Sequence, residues 1–199
     1  MELSNVDSLP TDLQNSTANY TFAAGQRLFR QGDYASTFYI VTSGQVKLVR
    51  YTIEGRMVVL QVVRSGESLG ENTFVSDAYT CTAIAEVEST AIAYPQPLLL
   101  EALQEYPDLA EEIIEDLSEK IQSLRVNLEL LQIRSAHLRL LRYLQYNAAL
   151  SNIVDLDQPL KEVAAELNLA PRTLSRALAR LEYEGRIIRR GNSIDLQTL

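Results

Sequence analysis

Residues 107–138 carry the most regular alternation of apolar and polar positions in the chain. Apolar residues recur there at alternating spacings of three and four, and charged residues fill most positions between them. A repeat of about 3.5 residues predicts a long helix whose narrow apolar seam packs against a second, near-parallel helix. The seam residues are Ile114, Leu117, Ile121, Leu124, Leu128 and Leu131.

This seam has two interpretations, which differ in what the helix packs against. An amphipathic helix that lies on its own domain's core usually shows a wider apolar stripe, and Ile113 and Leu130 do widen this one. We favour a seam between two identical chains, because a dimer is the simplest assembly that supplies a second helix of the same pattern. The pattern weakens at Ser135, where leucine or isoleucine would continue it, and we expect a joint there.

The chain before this helix consists of short β-prone runs separated by glycine-containing turns. Many short strands at such spacing predict an antiparallel barrel or sandwich. The runs are 27–29, 37–41, 45–51, 57–63, 83–87 and 91–94. The polar residues 1–17 are expected to form a loose arm with at most a turn of helix, and 98–105 are expected to form a short helix.

The chain after Ser135 first shows a helical apolar period and then two β-prone runs. Three helices are expected, at 138–150, 159–167 and 171–184. Residues 168–170 form a tight turn, so that the last two helices make a helix–turn–helix pattern. The runs around Gly191-Asn192 predict a hairpin wing, and 151–157 are expected to be a polar connection.

The helix at 171–184 has two faces of opposite character. At 100° per residue its apolar side chains cluster on an inward face, and Arg172, Arg176 and Arg180 lie within about 80° of one another on the other side. Such a charged face is often simply solvated. In a helix–turn–helix, however, the N-terminal residues of the second helix meet base edges in the major groove, and the arginine fork donates two hydrogen bonds to guanine.

We therefore expect this face and the wing to contact DNA. Base or phosphate contact is expected of Arg172 and Arg176, and phosphate contact of Arg180. The hydroxyl groups of the set can donate to phosphates, and the wing arginines can reach the flanking backbone. The expected contact residues are Arg172, Thr173, Ser175, Arg176, Arg180, Arg189 and Arg190.

Composition and charge agree with this interpretation once they are divided along the chain. The 199 residues suffice for one large or two small domains, and a hydrophobic content of 46% permits a core. The net charge of −8 divides into −6 for residues 1–107, −4 for 108–134 and +2 for 135–199. An acidic body with a local cationic face is compatible with DNA binding, because the field near the phosphates matters more than the total.

The rare residue types exclude several classes of protein. The single cysteine, Cys81, rules out a disulfide framework and a cysteine-bound iron–sulfur cluster within one chain. The single histidine, His137, argues against a Ser-His-Asp relay, and residues 18–95 lack the histidines of a catalytic cupin. We expect no enzyme, metal or cofactor. No apolar run approaches the ~20 residues of a membrane helix and we see no signal peptide, so a cytoplasmic protein without membrane contact is expected.

The order of these parts resembles the cyclic-AMP receptor protein/FNR (CRP/FNR) family of bacterial transcription regulators. The resemblance covers nearly the whole chain. It is carried by Gly25, Gly32-Asp33, Tyr39-Ile40, Gly44-Gln45-Val46, Gly66-Glu67, Leu69-Gly70-Glu71 and Arg172-Thr173-Leu174-Ser175-Arg176. It implies an α+β fold: a jelly-roll type antiparallel β-barrel at 1–106, a dimerisation helix at 107–137 and a winged helix–turn–helix domain at 138–199.

The same resemblance implies how the protein would act. A homodimer would bind a two-fold symmetric operator whose half-sites lie about one helical turn, ~34 Å, apart. RNA polymerase would be a further partner, and activation is the commoner role among relatives, by analogy. Arg176 matches the family arginine that usually reads guanine. Arg172 stands where many relatives have glutamate, so the preferred half-site is expected to differ.

The chain departs from the family where cyclic nucleotides bind. Members that bind them use a glutamate, matched by Glu71, and an Arg-Ser or Arg-Thr pair for the phosphate. The pair here is Tyr79-Thr80 or Cys81-Thr82, and residues 69–88 contain no arginine. The charge of a cyclic phosphate would not be offset there, so neither cyclic AMP nor cyclic GMP is expected.

Two hypotheses remain for the effector. Either an unidentified small molecule binds through rearranged contacts, or there is no effector and the abundance of the regulator provides control. The candidate effector pocket consists of Gly70, Glu71, Tyr79, Thr80 and Arg125. Arg50, Arg56 and Arg64 are interpreted as solvent-facing members of alternating strands, with a small-anion pocket as the alternative. Cys81 is interpreted as a core residue, with a redox-sensitive thiol as the alternative.

Overall fold

A computed structural model describes residues 3–148, 152–156 and 159–197. The chain divides into two compact units, Met1–Leu117 and Ser118–Leu199. In the described part of the first unit, eight antiparallel strands form two four-stranded sheets. The strands are β1 Ala18–Phe22, β2 Arg27–Phe29, β3 Thr37–Ser43, β4 Gln45–Tyr51, β5 Met57–Arg64, β6 Ser68–Leu69, β7 Thr82–Ala85 and β8 Ser89–Pro95.

Both sheets contribute side chains to one core. One sheet has the order β1-β8-β3-β6 and the other β2-β7-β4-β5. Because side chains alternate across a strand, Tyr39 and Val41 of β3 enter this core, whereas Phe38 and Ile40 face a second cluster of buried residues. The predicted antiparallel β architecture is therefore confirmed as two four-stranded sheets around a shared core.

The N-terminal segment packs against the first unit, contrary to the expected loose arm. It forms a 3₁₀ turn, Val6–Ser8, and a helix α1, Thr11–Ser16. Leu3, Leu9 and Leu13 are buried in the second cluster. The prediction was wrong because these leucines are separated by polar residues and show no period that marks a packed element.

Two further helices complete the first unit. Helix α2 spans Gln96–Glu105 and helix α3 spans Pro107–Gln132, so α3 crosses the boundary between the two units. Leu109 and Ile113 of α3 are buried in the second cluster. The Leu3 backbone N–H donates to both carboxylate oxygens of Glu112 at 2.9 Å. The first turns of α3 are thus held by apolar contacts and by the N-terminal segment.

The long helix ends earlier than the apolar repeat indicated. Helix α3 ends at Gln132, residues 133–135 are not helical, and helix α4 spans Ala136–Asn147. The joint expected near Ser135 lies within this break. Residues 149 and 150 of the helix expected at 138–150 lie outside the described residues.

The second unit contains the helix–turn–helix and a three-stranded sheet. Helix α5 spans Leu160–Glu166 and helix α6 spans Pro171–Tyr183. The sheet has the order β10-β11-β9, with β9 Ile153–Asp155, β10 Ile187–Arg190 and β11 Ser193–Leu196. Residues 151–157 were expected to be a polar connection, but Ile153–Asp155 form the strand β9. Three residues are too few for a periodic signal, and the backbone of β11 provides the pairing.

The described residues offer neither a membrane-spanning helix nor a cluster of metal ligands. No helix among them is long and apolar enough to cross a bilayer. No three or more of their His, Cys, Asp and Glu side chains are arranged to hold a metal ion.

Candidate nucleic-acid interface

The turn between α5 and α6 sets the direction of α6 relative to α5. Asn168 has a φ of 50°, a left-handed conformation that asparagine adopts more readily than most residues. The Leu169 N–H donates to the Ala164 carbonyl, and the Thr173 N–H donates to the Ala170 carbonyl, both at 2.8 Å. Helix α6 begins at Pro171, whose missing N–H costs nothing in a first turn.

Helix α6 buries one face and exposes the other, as its wheel predicts. Leu174, Ala177, Leu178 and Leu181 are buried in the core of the second unit. The side chains expected to contact DNA from α6 are exposed, and the apolar face anchors the helix beneath them. These exposed residues are Arg172, Thr173, Ser175, Arg176 and Arg180.

Arg180 and Arg190 each have an acidic partner within the chain. Arg180 Nε lies 2.7 Å from Glu184 Oε1, one helical turn later. The hydrogen bond from Arg180 lowers the pKa of Glu184. Arg190 Nε lies 3.0 Å from Asp195 Oδ2 on the neighbouring strand of the wing. Both arginines are exposed, so each can exchange its carboxylate for a phosphate.

Arg172, Arg176 and Arg189 differ from these two. They are exposed, and within the described ranges 3–148, 152–156 and 159–197 none of the three forms an ion pair. Their donors are therefore available to an anionic ligand. Guanidinium groups suit phosphates and guanine edges because their planar fork donates two parallel hydrogen bonds.

Thr173 and Ser175, the two hydroxyl-bearing residues of α6, differ in their hydrogen bonds within the chain. Ser175 Oγ donates to the Pro171 carbonyl at 3.1 Å, a backbone hydrogen bond of the kind serine makes inside helices. Thr173 is exposed in the first turn of α6. The Ser175 hydroxyl must therefore give up its hydrogen bond to the Pro171 carbonyl before it can donate to a phosphate.

The wing is a tight hairpin supported by β9. Arg189 pairs with Ile194 and Arg190 with Ser193 across the hairpin, and Gly191 takes a φ of 62° in the turn. Ser193 Oγ donates to Asp155 Oδ1 at 2.5 Å, which ties the wing to β9. The hairpin was predicted from its Gly-Asn turn, but this third strand was not.

The candidate effector residues of the first unit include the loop after β6. Gly70 has a φ of 91°, and a Cβ added there would lie 3.0 Å from the Thr37 carbonyl oxygen. A left-handed φ and this close approach both favour glycine. Glu71 begins a short 3₁₀ helix, Glu71–Phe74. Arg125 lies on α3 in the second unit, and its predicted place in the same pocket stays a prediction.

The Tyr79 side chain fills part of the core between the two sheets. Its ring stacks on Phe29 with centroids 3.7 Å apart and planes 8° apart. Its hydroxyl donates to the Thr37 carbonyl at 2.6 Å and accepts from the Thr37 N–H at 3.2 Å. Burial raises the pKa of Tyr79 to about 12. A ligand entering this core would have to displace the ring.

Arg50 brings a positive charge to the loop that lacks an arginine of its own. Its Nε and Nη2 donate to the Thr80 carbonyl at 3.2 and 3.0 Å. Arg50 is exposed, as expected of an alternating strand. Sequence reasoning missed the contact because Arg50 lies on β4 and Thr80 lies thirty residues later, in the loop before β7. Cys81 is buried, and burial raises its pKa, which makes the thiol a weak nucleophile.

The predicted seam of α3 is largely exposed in the single chain. Leu117 is half-buried against the second cluster of the first unit. Ile113 and Leu130, which widen the apolar stripe, are buried. The remaining seam residues are between 49% and 62% exposed: Ile114, Ile121, Leu124, Leu128 and Leu131.

The chain is similar to known proteins, in part of its length to one group and over most of its length to another. Residues 20–106 match the cyclic nucleotide-binding domain family. A lysophospholipase nte1 of Neurospora crassa is 34% identical over 91 residues, 45% of this chain, which spans only 6% of that protein's length. The similarity to the lysophospholipase is therefore confined to part of the chain and does not extend to the enzyme as a whole.

Regulators match across most of the chain. The CRP-like cAMP-activated global transcriptional regulator of Mycobacterium tuberculosis is 25% identical over 183 residues, 87% of this chain and 81% of that protein. The nitrogen fixation regulation protein FixK of Bradyrhizobium diazoefficiens is 27% identical over 173 residues, 83% and 72% of the two chains. A CooA mutant from Carboxydothermus hydrogenoformans has the same fold, with a TM-score of 0.76, 16% identity and coverage of 99% and 91%.

These matches and the two units define a class of protein. A cyclic nucleotide-binding domain followed by a winged helix–turn–helix is the arrangement of a transcription regulator, and the relatives that match most of this chain carry that description. Residues 20–106 thus match the cyclic nucleotide-binding domain family, and most of the chain is similar to transcription regulators named CRP-like and FixK.

Proposed function

We propose that the protein is a homodimeric, sequence-specific DNA-binding transcription regulator of the CRP/FNR type, and no enzyme. In this proposal 1–106 form the effector-type domain, 107–137 the dimerisation helix and 138–199 the DNA-binding domain. Double-stranded DNA with a two-fold symmetric operator is the ligand of the second unit. By analogy with relatives, the protein activates transcription and contacts RNA polymerase.

The observation that carries the proposal is the outward face of α6. Arg172 and Arg176 occupy the N-terminal half of the second helix of a helix–turn–helix, exposed and without an ion pair among the described residues. The N-terminal residues of that helix are the ones that meet base edges. Arg180, Arg189 and Arg190 extend the positive surface toward the wing, where phosphate contacts set the register.

The exposed seam of α3 supports the dimer. A row of leucine and isoleucine side chains on a single helix exposes apolar area that a second copy of the same helix would cover. Other positions of α3, such as Ile113 and Leu130, already lie in the chain's own cores. The seam is thus additional to the apolar face that folding of one chain uses.

The first unit is proposed to have lost the usual phosphate contact of a cyclic nucleotide. Residues 69–88 contain no arginine, and Tyr79 directs its ring into the core. A second candidate is a regulator that responds to a small molecule through rearranged contacts. The Arg50 guanidinium beside Thr80 favours it, because it places a cation near the loop from another strand.

Substitution of Arg176 tests the assignment of α6. On a duplex selected by the wild-type protein, Arg176→Ala is expected to weaken binding by about 1–3 kcal/mol and to relax the preference at one base pair. Fluorescence anisotropy on this duplex and on its single-base variants measures both quantities. Arg180→Ala is the comparison: it is expected to weaken binding to all sequences alike. Unchanged affinity and base preference for Arg176→Ala would refute the assignment.

A further inference from the structure

Arg139 of α4 joins the ends of two other helices. Its Nε and Nη2 donate to the Ile133 carbonyl oxygen at 3.0 and 2.8 Å, and its Nη1 donates to the Leu167 carbonyl oxygen at 2.8 Å. Ile133 directly follows α3, and Leu167 directly follows α5. One guanidinium therefore connects the helix that carries the seam with the first helix of the helix–turn–helix.

Both acceptors lie where helices leave carbonyl groups without an intrahelical partner. A helix C-terminus also carries roughly half a negative charge, so a cation there gains a favourable dipole interaction as well as hydrogen bonds. The donors of arginine lie in a fixed plane. Arg139 therefore sets both the separation and the relative direction of the two helix ends.

Apolar packing around Arg139 holds the helices together without fixing their angle. Leu130 in the last turns of α3 shares a core with Leu140 of α4 and Leu178 of α6. Such burial is non-directional, and residues 133–135 interrupt the helix between α3 and α4. Hydrogen bonds depend strongly on distance and angle, so those of Arg139 specify the direction of the corner more than the apolar packing does. Two exposed contacts add to them: Arg142 Nε donates to Glu129 of α3 at 2.8 Å, and the Tyr143 hydroxyl donates to Glu166 of α5 at 3.0 Å.

We propose that Arg139 is a positioning residue for operator binding, which fixes the angle between α3 and α6 and thereby the separation of the two α6 helices in a dimer. This rests on the proposed function, since the separation matters only if α3 pairs with a second copy. Two half-sites bound together gain about 10²–10⁴-fold in avidity, and the gain is lost when geometry forbids simultaneous engagement. Loss of Arg139 reduces this gain and leaves the contact of each α6 with its half-site intact.

Binding of Arg139→Met to three duplexes tests the inference. The first is the full site selected from a random pool by the wild-type protein, the second is one half-site, and the third is the full site with extra base pairs between its halves. Half-site affinity is expected to stay near wild type, while the ratio of full-site to half-site affinity falls by about tenfold or more. The penalty for the inserted base pairs is also expected to shrink, because a looser corner tolerates altered spacing.

Arg142→Met is the matched control. It removes the same charge from the same helix, and Arg142 also contacts α3, through Glu129 at 2.8 Å; but both side chains are about half exposed, and a surface ion pair of this kind contributes little to geometry or stability. Its full-site to half-site ratio is expected to equal that of the wild type. Arg139→Lys is the second variant, which keeps the charge without the fork and is expected to lose the full-site preference as well.

The outcomes separate the inference from the proposed function. An unchanged ratio and spacing preference in Arg139→Met would overturn the inference. So would an equal loss on full site and half-site, which would indicate a purely structural role. A wild-type protein that binds the full site no better than the half-site would contradict the proposed function itself.

Discussion

Arg176 and Arg180 lie about one turn apart on α6, yet their electrostatic surroundings differ. Glu184 holds the Arg180 guanidinium at 2.7 Å, whereas Arg176 has no ion pair in the described part of the chain. Surface ion pairs of this kind are weak and are screened by salt. We therefore expect Arg180 to exchange Glu184 for a phosphate, while Arg176 is free to select a base.

Tyr79 has a testable effect on stability at alkaline pH. Burial raises its pKa to about 12 from an ordinary value of 10.0. Between these values the unfolded chain loses the proton while the folded chain keeps it, so stability falls as the pH rises through this window. Tyr79→Phe is expected to make the decline shallower, because the group that titrates is gone. Urea midpoints at a series of pH values across the window measure it.

The decline is not expected to disappear completely. The pKa values of Tyr39 and Tyr94 are also raised by burial, so part of it should persist in Tyr79→Phe. Tyr34→Phe is the control, because its ring is exposed. A decline in Tyr79→Phe as steep as in the wild-type protein would contradict the buried hydroxyl described for Tyr79.

The contacts of single residues were predictable only where the two partners are a few residues apart in the sequence. The exposed arginines of α6 follow from its period, and the pair Arg180–Glu184 has the spacing of neighbours on a helix. The contact of Arg50 with Thr80 depends on the order of strands in a sheet. No local pattern contains that order, so this contact appears only in the folded chain.

At the scale of elements, the apolar residues of α3 fall into two sets, one buried in the chain's own cores and one exposed. Its buried residues, such as Leu109, Ile113 and Leu130, belong to the cores of the chain itself. Its exposed seam lies elsewhere on the helix. In the sequence, Ile113 and Leu130 merge with the seam into one widened stripe, so an intramolecular helix remained the alternative to the favoured dimer seam.

Leu124→Glu is the direct test of this seam. A carboxylate at an apolar seam position would be desolvated against the partner helix, so the variant is expected to be monomeric and to lose operator binding. Light scattering gives the mass, and anisotropy gives the binding. Ser123→Glu adds the same charge next to the seam and should remain dimeric. A Leu124→Glu protein that is still a dimer would exclude the seam as the dimer interface.

Elements were predictable where their period is long enough to read. Gln45–Tyr51 and Pro171–Tyr183 match the expected strand and helix, because several turns or alternations repeat the same signal. Ala18–Phe22 was missed because four of its five residues are exposed and its pattern does not alternate. Ser68–Leu69 and Ile153–Asp155 were missed because they are short. Strands this short owe their existence to neighbouring backbone and carry no readable pattern of their own.

At the scale of the whole molecule, charge and function are separated along the chain. Residues 1–107 have a net charge of −6, and residues 135–199 have +2. The positive residues of the second unit include the exposed arginines of α6 and of the wing. Binding through phosphates releases counterions, so we expect operator affinity to fall with rising salt.

Selection of bound duplexes from a random DNA pool, with and without cyclic AMP, tests whether the protein is a dimeric regulator that binds a symmetric operator without a cyclic nucleotide. We expect enrichment of a two-fold symmetric site whose half-sites lie about one helical turn, ~34 Å, apart, with a guanine in each half-site for Arg176. The same site should emerge in both selections. Failure to enrich a symmetric site would contradict the dimeric regulator, and enrichment only when cyclic AMP is added would contradict the loss of the cyclic-nucleotide contact.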